Sequence, residues 1–473
     1  MMTFEGLRRH VAELVGSDNV WTDDVRLAAH AIDRRQPRLV VQPETTAQAA
    51  DILALAGRAR FAVVPWGQGT QMHLGQTPER YDLALSLAKL TRVVDYDVAN
   101  FTLIAEAGMP LCEVYRLTTS CQQFLPLGYA GTTASLGGLL VTNTSGVKRW
   151  RYGSVRDLVL GVRVALPDGA LAHFGGRVVK NVAGYDMNKL FIGSLGAFGV
   201  VLETTYRLAA LPEDDGVLAV LFPTLAQATT AAAALRAAPL LHSALLLLHA
   251  EVVNAWHAAL PWTVQSPQVV LLLNYDGIHE AVARQFRDSR ALCQTHGSLT
   301  DTTLAGALLS TLWALWESWC HAVSTTAQPW LHVRLGVVPT RLEAILTHLA
   351  QTPTFCQQPI GWVADGGHGQ IWARLALQPS LSDELGPAVQ DWLQALRAHL
   401  SAYHGYAVVE AAPARLRQQL DAEVVKLNQM QQTAQALQAK LPGNAQQDFQ
   451  LRLIGPEGTP LRLPGTPPPT THP

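Results

Sequence analysis

The sequence has few cysteines, almost no net charge and no long uninterrupted apolar run. Its 5 cysteines show neither a C-x-x-C spacing nor a neighbouring histidine cluster that could hold zinc or an iron–sulfur centre. The 35 Lys and Arg residues nearly balance the 37 Asp and Glu residues, so no net field attracts nucleic acid or anionic lipid. We therefore expect reduced, mostly buried thiols, no metal site and no nucleic-acid partner.

No stretch of the chain approaches the ~18 consecutive apolar residues that a transmembrane helix requires. The most apolar segment, 240–253, is interrupted by His242, His249 and Glu251. Residues 1–16 mix apolar and charged side chains, which is typical of an amphipathic helix rather than a signal peptide. The sequence predicts a cytoplasmic protein without a transmembrane segment.

The length of the chain and the changes in its local composition predict two folded domains with additional segments at both ends. The chain has 473 residues, which exceeds the ~100–200 residues of one average domain. Dense glycine loops stop near residue 211, and the last residues are rich in proline. The predicted segments are an N-terminal helical segment over 1–32, a first domain over 33–211, a second domain over 214–412, a C-terminal helix over 413–440 and a disordered tail over 455–473.

The second domain shows one order of elements that nearly recurs. Apolar runs of strand length alternate with Ala- and Leu-rich helical patterns, first as β-α-β-β-α and then as β-α-β-β-α-β. The predicted strands are 217–222, 244–250, 269–275, 331–338, 361–364, 370–377 and 406–410. This order predicts two ferredoxin-like βαββαβ halves and an α+β fold.

A glycine-containing loop follows directly on a predicted strand over 61–65 in the first domain. Its two glycines allow successive backbone N–H groups to turn toward a diphosphate without a Cβ in the way. The dinucleotide pattern G-x-G-x-x-G fails because Met72 stands where its third glycine belongs. This loop alone is compatible with anion binding or with an ordinary turn. Its residues are Pro65, Trp66, Gly67, Gln68, Gly69 and Thr70.

Two further loops carry the same kind of chemistry. Residues 131–146 crowd glycines and hydroxyl side chains together, and these groups supply the bare amides and O–H donors that phosphates and polyols require. Residues 180–201 contain Gly193, Gly196 and Gly199, which keep the backbone low enough for a flat ring to lie against it. Three such loops in one domain favour a nucleotide-like cofactor.

Together the three loops resemble the FAD-binding domain of the p-cresol methylhydroxylase (PCMH) and vanillyl-alcohol oxidase type. The segments 152–161 and 166–169 match this family as well, so the resemblance covers about 38–208. It implies a PCMH-type FAD-binding domain followed by a ferredoxin-like α+β C-terminal domain of FAD-linked oxidases. It also implies non-covalent FAD, because relatives with a histidine-linked flavin carry that histidine where Thr70 stands, three residues before His73.

The resemblance further implies which residues contact FAD. The first and second loops are expected to hold the diphosphate. The implied contacts are Pro65, Trp66, Gly67, Gln68, Gly69 and Thr70 in the first loop, Gly131, Thr132, Ser135, Gly137, Gly138, Thr142, Asn143, Ser145 and Gly146 in the second, and Gly199 and Val200 in the third.

Within this family the chain is most similar to the FAD-binding subunit of glycolate oxidase, the smaller of two related flavin-domain chains. Larger relatives that oxidise 2-hydroxy acids usually read G-S-E-G-T-L-G, whereas this chain has Leu195 in the acidic position. The resemblance implies glycolate oxidation to glyoxylate in a complex with the larger flavoprotein and an iron–sulfur subunit. It leaves open whether partner subunits bring the complex to a membrane.

Two alternatives stay open at this stage. One is an autonomous FAD-dependent 2-hydroxy-acid or alcohol dehydrogenase, and the other is an assembly subunit whose flavin is non-catalytic or lost. No catalytic residue is assigned. Larger relatives carry a histidine-rich metal site in the second domain, and His368 is the one histidine here that resembles part of it. We expect His368 to be a histidine of a turn.

Two other groups of residues have a structural explanation that we prefer. The basic residues Lys148, Arg149, Arg151 and Arg156 could neutralise phosphate or dock a partner, but we expect a solvated basic loop. Trp313, Trp316 and Trp319 recur every three residues, which predicts one face of a helix packed in a core or a subunit interface.

Overall fold

The computed structural model describes residues 2–75, 77–128, 133–176, 186–320, 329–351, 353, 355–356, 358–377 and 385–420. Gly131, Thr132, the segment 180–185 and the tail predicted over 455–473 therefore lie outside the described residues. The helix predicted over 413–440 is described only as Ala414–Gln419.

The N-terminal part of the structure, residues 2–211, contains three sheets. A largely parallel sheet has the order β1-β2-β4-β3, an antiparallel sheet has the order β5-β6-β10-β8-β9, and β11 pairs with β7. The strands are β1 Val20–Trp21, β2 Leu39–Val41, β3 Val63–Trp66, β4 Leu83–Ser86, β5 Val93–Asp97, β6 Thr102–Glu106, β7 Gln123–Phe124, β8 Val159–Ala165, β9 Leu171–Gly175, β10 Val200–Arg207 and β11 Ala209–Ala210.

Helices surround these sheets. They are α1 Phe4–Val15, α2 Asp24–Ala29, α3 Thr46–Ala59, α4 Leu111–Thr119, α5 Leu136–Thr142, α6 Arg149–Tyr152, α7 Val155–Leu158 and α8 Asn188–Phe191, with a 3-10 turn at Ser17–Asn19. In α3, the side chain of Thr45 accepts a hydrogen bond from Gln48 N, and the Gln48 side-chain oxygen accepts one from the backbone N–H of Thr45. This capping box fixes where α3 begins, directly before its buried alanine and leucine face.

The C-terminal part, residues 214–420, is built on one eight-stranded sheet with the order β15-β12-β14-β13-β17-β18-β16-β19. The strands are β12 Asp214–Phe222, β13 Ala244–His249, β14 Val269–Gly277, β15 Thr300–Ala305, β16 Trp330–Gly336, β17 Gly361–Asp365, β18 Gln370–Ala376 and β19 Tyr406–Ala411. The helices are α9 Leu225–Ala237, α10 Ala250–Ala255, α11 His279–Thr295, α12 Gly306–Cys320, α13 Leu342–Leu349, α14 Leu385–Ser401 and α15 Ala414–Gln419, with a 3-10 turn at Pro339–Arg341.

The strand order confirms the two ferredoxin-like halves and the α+β class. If the strands of each half are numbered 1 to 4 along the chain, their order across the sheet is 4-1-3-2. The two second strands, β13 and β17, pair antiparallel and join the halves into one sheet. Strand β15 is not among the predicted strands, because its Thr-Asp-Thr-Thr run lacks the apolar pattern of a buried strand.

Each face of the large sheet carries its own core. On one face, residues of α9, α11, α13 and α14 pack with the strands in the largest apolar cluster. On the other face, α10 and α12 cover the sheet, and Trp316 and Trp319 are buried there, with Trp313 partly buried beside them. The predicted tryptophan face is thus confirmed as a packed core face. Among the described helices, none is both long and apolar enough to cross a membrane.

A charged seam joins the N-terminal and C-terminal parts, and we define it by Lys148, Arg151, Asp215, Asp276 and Ser243. Lys148 Nζ lies 2.6 Å from an Asp215 oxygen and 2.7 Å from an Asp276 oxygen. Arg151 Nη1 and Ser243 Oγ donate to Asp276 at 2.6 and 2.5 Å. The expectation of a solvated basic loop is therefore wrong for Lys148, which is 8% exposed, because carboxylates from the C-terminal sheet neutralise it.

Candidate cofactor site

A cavity opens between the three glycine-containing loops of the N-terminal part, with about 860 Å³ of space that includes the solvent at its open mouth. The residues that line it are Val64, Pro65, Trp66, Gly67, Gln68, Gly69, Thr70, Gln71, Met72, Leu74, Leu87, Ala107, Ser135, Gly137, Gly138, Leu139, Val141, Thr142, Leu195, Gly196, Gly199, Val200 and Val201.

Two glycines allow the first two loops to approach each other and the underlying sheet. A Cβ added at Gly67 would lie 2.2 Å from Ser135 Oγ, and one added at Gly137 would lie 2.7 Å from the Ala107 Cβ. Ser135 cannot move away freely, because its hydroxyl accepts a hydrogen bond from Gly138 N at 3.3 Å and caps α5. The cavity wall therefore presents bare backbone where these glycines stand.

The first loop leaves β3 at Trp66 and is held at both ends. Trp66 is 7% exposed, and its ring lies 4.9 Å from that of His30. Gln68 Nε2 donates to the carbonyl oxygen of Gly108 at 3.3 Å. Strand β3 and these two contacts therefore fix the position of the loop beside the cavity.

A hydrogen-bonded chain ties the first loop to the second. Thr144 Oγ1 donates to Gln71 Oε1 at 2.7 Å and lies 2.8 Å from Thr142 Oγ1. All three side chains are buried. Gln71 is not among the predicted contacts, since nothing in the local sequence pattern indicates that its partner lies 73 residues away.

The third loop contributes an apolar wall. Leu195 has a positive φ of 53° and its N–H donates to the Val141 carbonyl at 2.8 Å, which places this loop against α5. Leu195, Gly196 and Val201 line the cavity together with Gly199 and Val200, although only the last two were predicted as contacts. The apolar side chain thus stands on the cavity wall itself.

The structure brings most of the predicted contact residues to this one cavity. Those that line it are Pro65, Trp66, Gly67, Gln68, Gly69, Thr70, Ser135, Gly137, Gly138, Thr142, Gly199 and Val200. Three others support the loop from outside the lining. Asn143 ends α5 in a left-handed conformation, Ser145 Oγ accepts from Val155 N at 3.0 Å, and Gly146 N donates to the Leu127 carbonyl at 2.8 Å.

The described lining contains no Asp, Glu, Lys, Arg or His side chain. A diphosphate held there would take its hydrogen bonds from backbone N–H groups and from neutral side chains such as Thr70 and Gln68. Backbone amides exposed by glycines bind phosphate groups in this way. The apolar residues of the wall, among them Trp66 and Val200, suit flat ring systems. The residues present therefore fit a dinucleotide such as FAD.

The histidines of the C-terminal part have structural contacts. His368 Nδ1 lies 3.0 Å from Asp365 Oδ2, in the turn where it was expected. His242 packs against Trp150 with ring centroids 5.0 Å apart, and burial lowers the pKa of His242 to about 4. Within the described ranges, no group of three His, Cys, Asp or Glu side chains is placed to hold a metal ion.

Comparison with known families now identifies the first domain. A family model described as an FAD binding domain matches residues 37–175, which include the first two loops. The FAD-binding domain thus contains the cavity walls formed by the first two loops, and the cofactor is FAD.

Several relatives that match in sequence are named as oxidases or dehydrogenases of 2-hydroxy acids. Glycolate oxidase subunit GlcD of Bacillus subtilis is 27% identical over 303 residues, which cover 62% of this chain and 64% of that protein. D-2-hydroxyglutarate dehydrogenase of Xanthomonas citri pv. viticola is 28% identical over 393 residues, covering 79% of this chain and 82% of that protein. Mitochondrial D-lactate dehydrogenase [cytochrome] of Arabidopsis thaliana is 32% identical, covering 42% of this chain and 35% of that protein.

Solved structures support the fold over most of the chain. A substrate-bound p-cresol methylhydroxylase matches with a TM-score of 0.66 at 14% identity, covering 87% of this chain and 90% of that one. An alkyldihydroxyacetonephosphate synthase matches with a TM-score of 0.67 at 15% identity, covering 85% and 80%. These matches confirm the PCMH-type fold, which holds enzymes of different reaction types.

Proposed function

We propose that the chain is an FAD-dependent oxidoreductase and, more narrowly, the smaller FAD-binding subunit of a glycolate oxidase complex. The observation that carries the proposal is the convergence of two family-matched loops on one cavity, in a chain whose sequence relatives are named for glycolate, D-lactate and D-2-hydroxyglutarate. These three compounds share a hydroxyl group on the carbon next to a carboxylate. When bound, FAD supplies the electron acceptor for oxidising that carbon.

The chain's own residues would bind and orient the cofactor. In this proposal the loops 65–70 and 135–142 hold the diphosphate through backbone N–H groups, and Gly199 and Val200 present a low backbone to a flat ring. The packed apolar wall around Leu195 and Val201 excludes water from that ring. Non-covalent binding is proposed because Thr70 stands where a linking histidine would be needed. Gly131, Thr132, Asn143, Ser145 and Gly146 stay predictions.

Leu195 favours the subunit over an autonomous enzyme. It lines the cavity where the larger, 2-hydroxy-acid-oxidising relatives carry an acidic residue, so this wall offers neither a base nor a charge. We therefore propose that glycolate is oxidised to glyoxylate in a complex with a larger FAD-containing subunit, and that electrons pass to an iron–sulfur subunit. Helix α1 packs Leu7, Val11 and Val15 into the core of the N-terminal part. We propose that the complex is cytoplasmic.

An autonomous 2-hydroxy-acid dehydrogenase is the second candidate. The match to D-2-hydroxyglutarate dehydrogenase favours it, because that match extends over 79% of this chain and 82% of the relative.

The test compares the purified chain alone with the chain reconstituted with its partner subunits. Dye reduction is measured with glycolate, D-lactate and D-2-hydroxyglutarate, and FAD content is measured in each preparation. The proposal predicts FAD in the isolated chain but glycolate-driven reduction only in the complex. Full activity of the isolated chain with any of the three acids would overturn the subunit assignment and support the second candidate.

A further inference from the structure

Arg417 lies near the end of the described chain, on α15, but its side chain contacts the N-terminal part. Its Nη2 donates to Asp33 Oδ1 at 2.9 Å, and its Nη1 donates to the carbonyl oxygens of His73 at 2.5 Å and Gly75 at 3.2 Å. The Arg417 side chain is 7% exposed and that of Asp33 is 11% exposed. A buried arginine that reaches 342 residues back along the chain needs an explanation beyond surface pairing.

The carbonyl oxygens that Arg417 binds belong to residues 71–75, which we call the clamped loop. The inner side of this loop forms part of the cofactor cavity through Gln71, Met72 and Leu74. The guanidinium therefore holds the outside of a cavity wall whose inside faces the cofactor.

Residues of the N-terminal part hold the segment that follows the clamped loop, at Thr77 and Pro78, in a similar way. Asp33 Oδ2 accepts a hydrogen bond from Thr77 Oγ1 at 2.5 Å, and Arg35 Nη1 donates to the Pro78 carbonyl at 2.7 Å. Arg417 differs from these anchors because it comes from a segment that follows the last strand of the C-terminal sheet. The position of the clamped loop thus depends on whether α15 is docked.

A planar guanidinium suits this place. It donates in a fixed fork to one carboxylate and two carbonyl oxygens, which a lysine ammonium with its single nitrogen cannot match from the same position. Asp33 neutralises the buried charge, while the buried Arg417 Nε has no hydrogen-bond partner among the described residues. Loss of either partner would leave the other buried without its counter-charge.

We propose that Arg417 is a positioning residue for the cofactor cavity and that FAD binding and docking of residues 414–420 favour each other. The inference rests on the placement of FAD in this cavity under the proposed function. A clamped loop that is already ordered pays less to receive the cofactor, and linkage requires FAD to stabilise the docked segment by the same factor. A residue that only fastened the two parts together would change stability without changing FAD affinity.

The experiment measures the dissociation constant of FAD for the full-length apoprotein, by titration with flavin-fluorescence detection. The variants are Arg417→Gln, Asp33→Asn and the charge-retaining Arg417→Lys. The control is Arg290→Gln, which breaks a more exposed pair with Asp301 at 2.7 Å within the C-terminal part. We expect about a tenfold weaker FAD affinity for the first two variants, a smaller loss for Arg417→Lys and less than a twofold change for the control.

A second measurement needs no variant and guards against misfolding. Hydrogen exchange of residues 71–75 and 414–420 is compared in the wild-type apoprotein and in the protein saturated with FAD, with helix α9 as the internal reference. We expect FAD to slow exchange in both segments and to leave α9 unchanged. Equal exchange of residues 414–420 with and without FAD, or an unchanged FAD affinity in a folded Arg417→Gln variant, would overturn the clamp.

These outcomes are separable from the fate of the proposed function. A clamp variant that binds FAD like the wild type while the complex oxidises glycolate overturns the clamp alone. Weakened FAD affinity in the variants of a protein whose complex oxidises no 2-hydroxy acid overturns the function and leaves the clamp standing.

Discussion

The cofactor cavity and the charged seam are both buried, but they are built from opposite kinds of residue. The described cavity wall consists of glycines, apolar side chains and neutral polar groups, with no ionisable side chain among them. The seam joins two cations to two carboxylates within 2.6–2.7 Å. The cavity recognises its ligand through the shape and amides of the backbone, whereas the seam fixes two parts of the chain through side-chain charge. Damage to each region should therefore be detected by a different measurement.

The largest expected effect belongs to the seam. Burial alone would raise the pKa of Asp276, but Lys148, Ser243 and Arg151 outweigh it and hold that pKa below its ordinary value. Replacement of Asp276 by Ala leaves Lys148 and Arg151 without this partner and should lower the free energy of unfolding by about 3–5 kcal/mol. Urea titration measures the loss.

The control for Asp276→Ala is Asp288→Asn, which removes an exposed carboxylate paired with Arg284 and should cost less than about 0.5 kcal/mol. If the free energy of FAD binding fell more in Asp276→Ala than the free energy of unfolding did, the seam and the cavity would not have the separate roles described above.

The next effect concerns pH and also lies beside the seam. Burial lowers the pKa of His242 from 6.5 to about 4, with Arg236 adding to the shift and Asp365 opposing it. Between pH 6.5 and 4 the His242 side chain is therefore protonated in the unfolded chain but neutral in the folded chain. The contribution of His242 to the free energy of unfolding is fully present above pH 6.5 and falls as the pH drops toward 4. Between pH 7 and 5 this group should cost the wild type about 2 kcal/mol.

His242→Phe tests this expectation because it keeps a ring against Trp150 and removes the titrating group. The variant should lose about 2 kcal/mol less than the wild type between pH 7 and 5, as measured by urea unfolding at both values. His249, whose pKa burial also lowers to about 4, keeps its own contribution in the variant. An exposed control, His257→Gln, should follow the wild-type curve; a His242→Phe curve that also did so would show that His242 is not a buried neutral group.

A smaller effect is expected in the cavity from a single methyl group. In Gly67→Ala the new Cβ would stand 2.2 Å from Ser135 Oγ, so the first or second loop must shift. We expect FAD affinity to fall about tenfold, which corresponds to about 1.4 kcal/mol, with little change in the unfolding of the apoprotein. Fluorescence titration of the apoprotein measures the affinity.

The matched glycine for that experiment is Gly176, where an added Cβ meets no atom within 4 Å. Gly176→Ala should bind FAD like the wild type. Equal affinity for Gly67→Ala and Gly176→Ala would contradict the view that backbone shape makes the site.

The smallest effect comes from the neutral hydrogen bonds behind the cavity wall. Thr144→Val removes the donor to Gln71 and should weaken FAD binding about fivefold, since a buried hydrogen bond contributes about 1 kcal/mol. Thr118→Val, which removes a buried hydroxyl bonded to Val114 O in α4, is the control and should change stability alone. A larger loss of FAD affinity in Thr118→Val than in Thr144→Val would show that the hydrogen bonds of Thr144 and Gln71 do not support the cofactor site.

The contrast between cavity and seam also explains what the sequence could predict. The first and second loops are contiguous stretches in which glycines and hydroxyls recur within a few residues, so the lining positions Gly67, Gly69, Ser135, Gly137 and Gly138 were predicted in advance. The other strands of the C-terminal part were equally readable, because each of them except β15 is a short apolar run between helical patterns.

Features that depend on distant partners were not predictable. Lys148 reads as a solvated residue of a basic loop until Asp215 and Asp276, 67 and 128 residues further on, are placed beside it. Gln71 and Arg417 are hidden for the same reason. The edge strand β15 was missed because a strand with one partner, β12, can be polar along most of its length.

The central claim is that this cavity holds FAD without a covalent bond. Its most direct test is to precipitate the purified full-length protein with acid and to identify the flavin in the supernatant and in the pellet by absorbance and mass spectrometry. We predict FAD in the supernatant at about one per chain and a pellet without flavin, with a lower FAD content for Gly67→Ala. Flavin that stays on the precipitated polypeptide, or a protein that neither retains nor rebinds FAD, would contradict the claim.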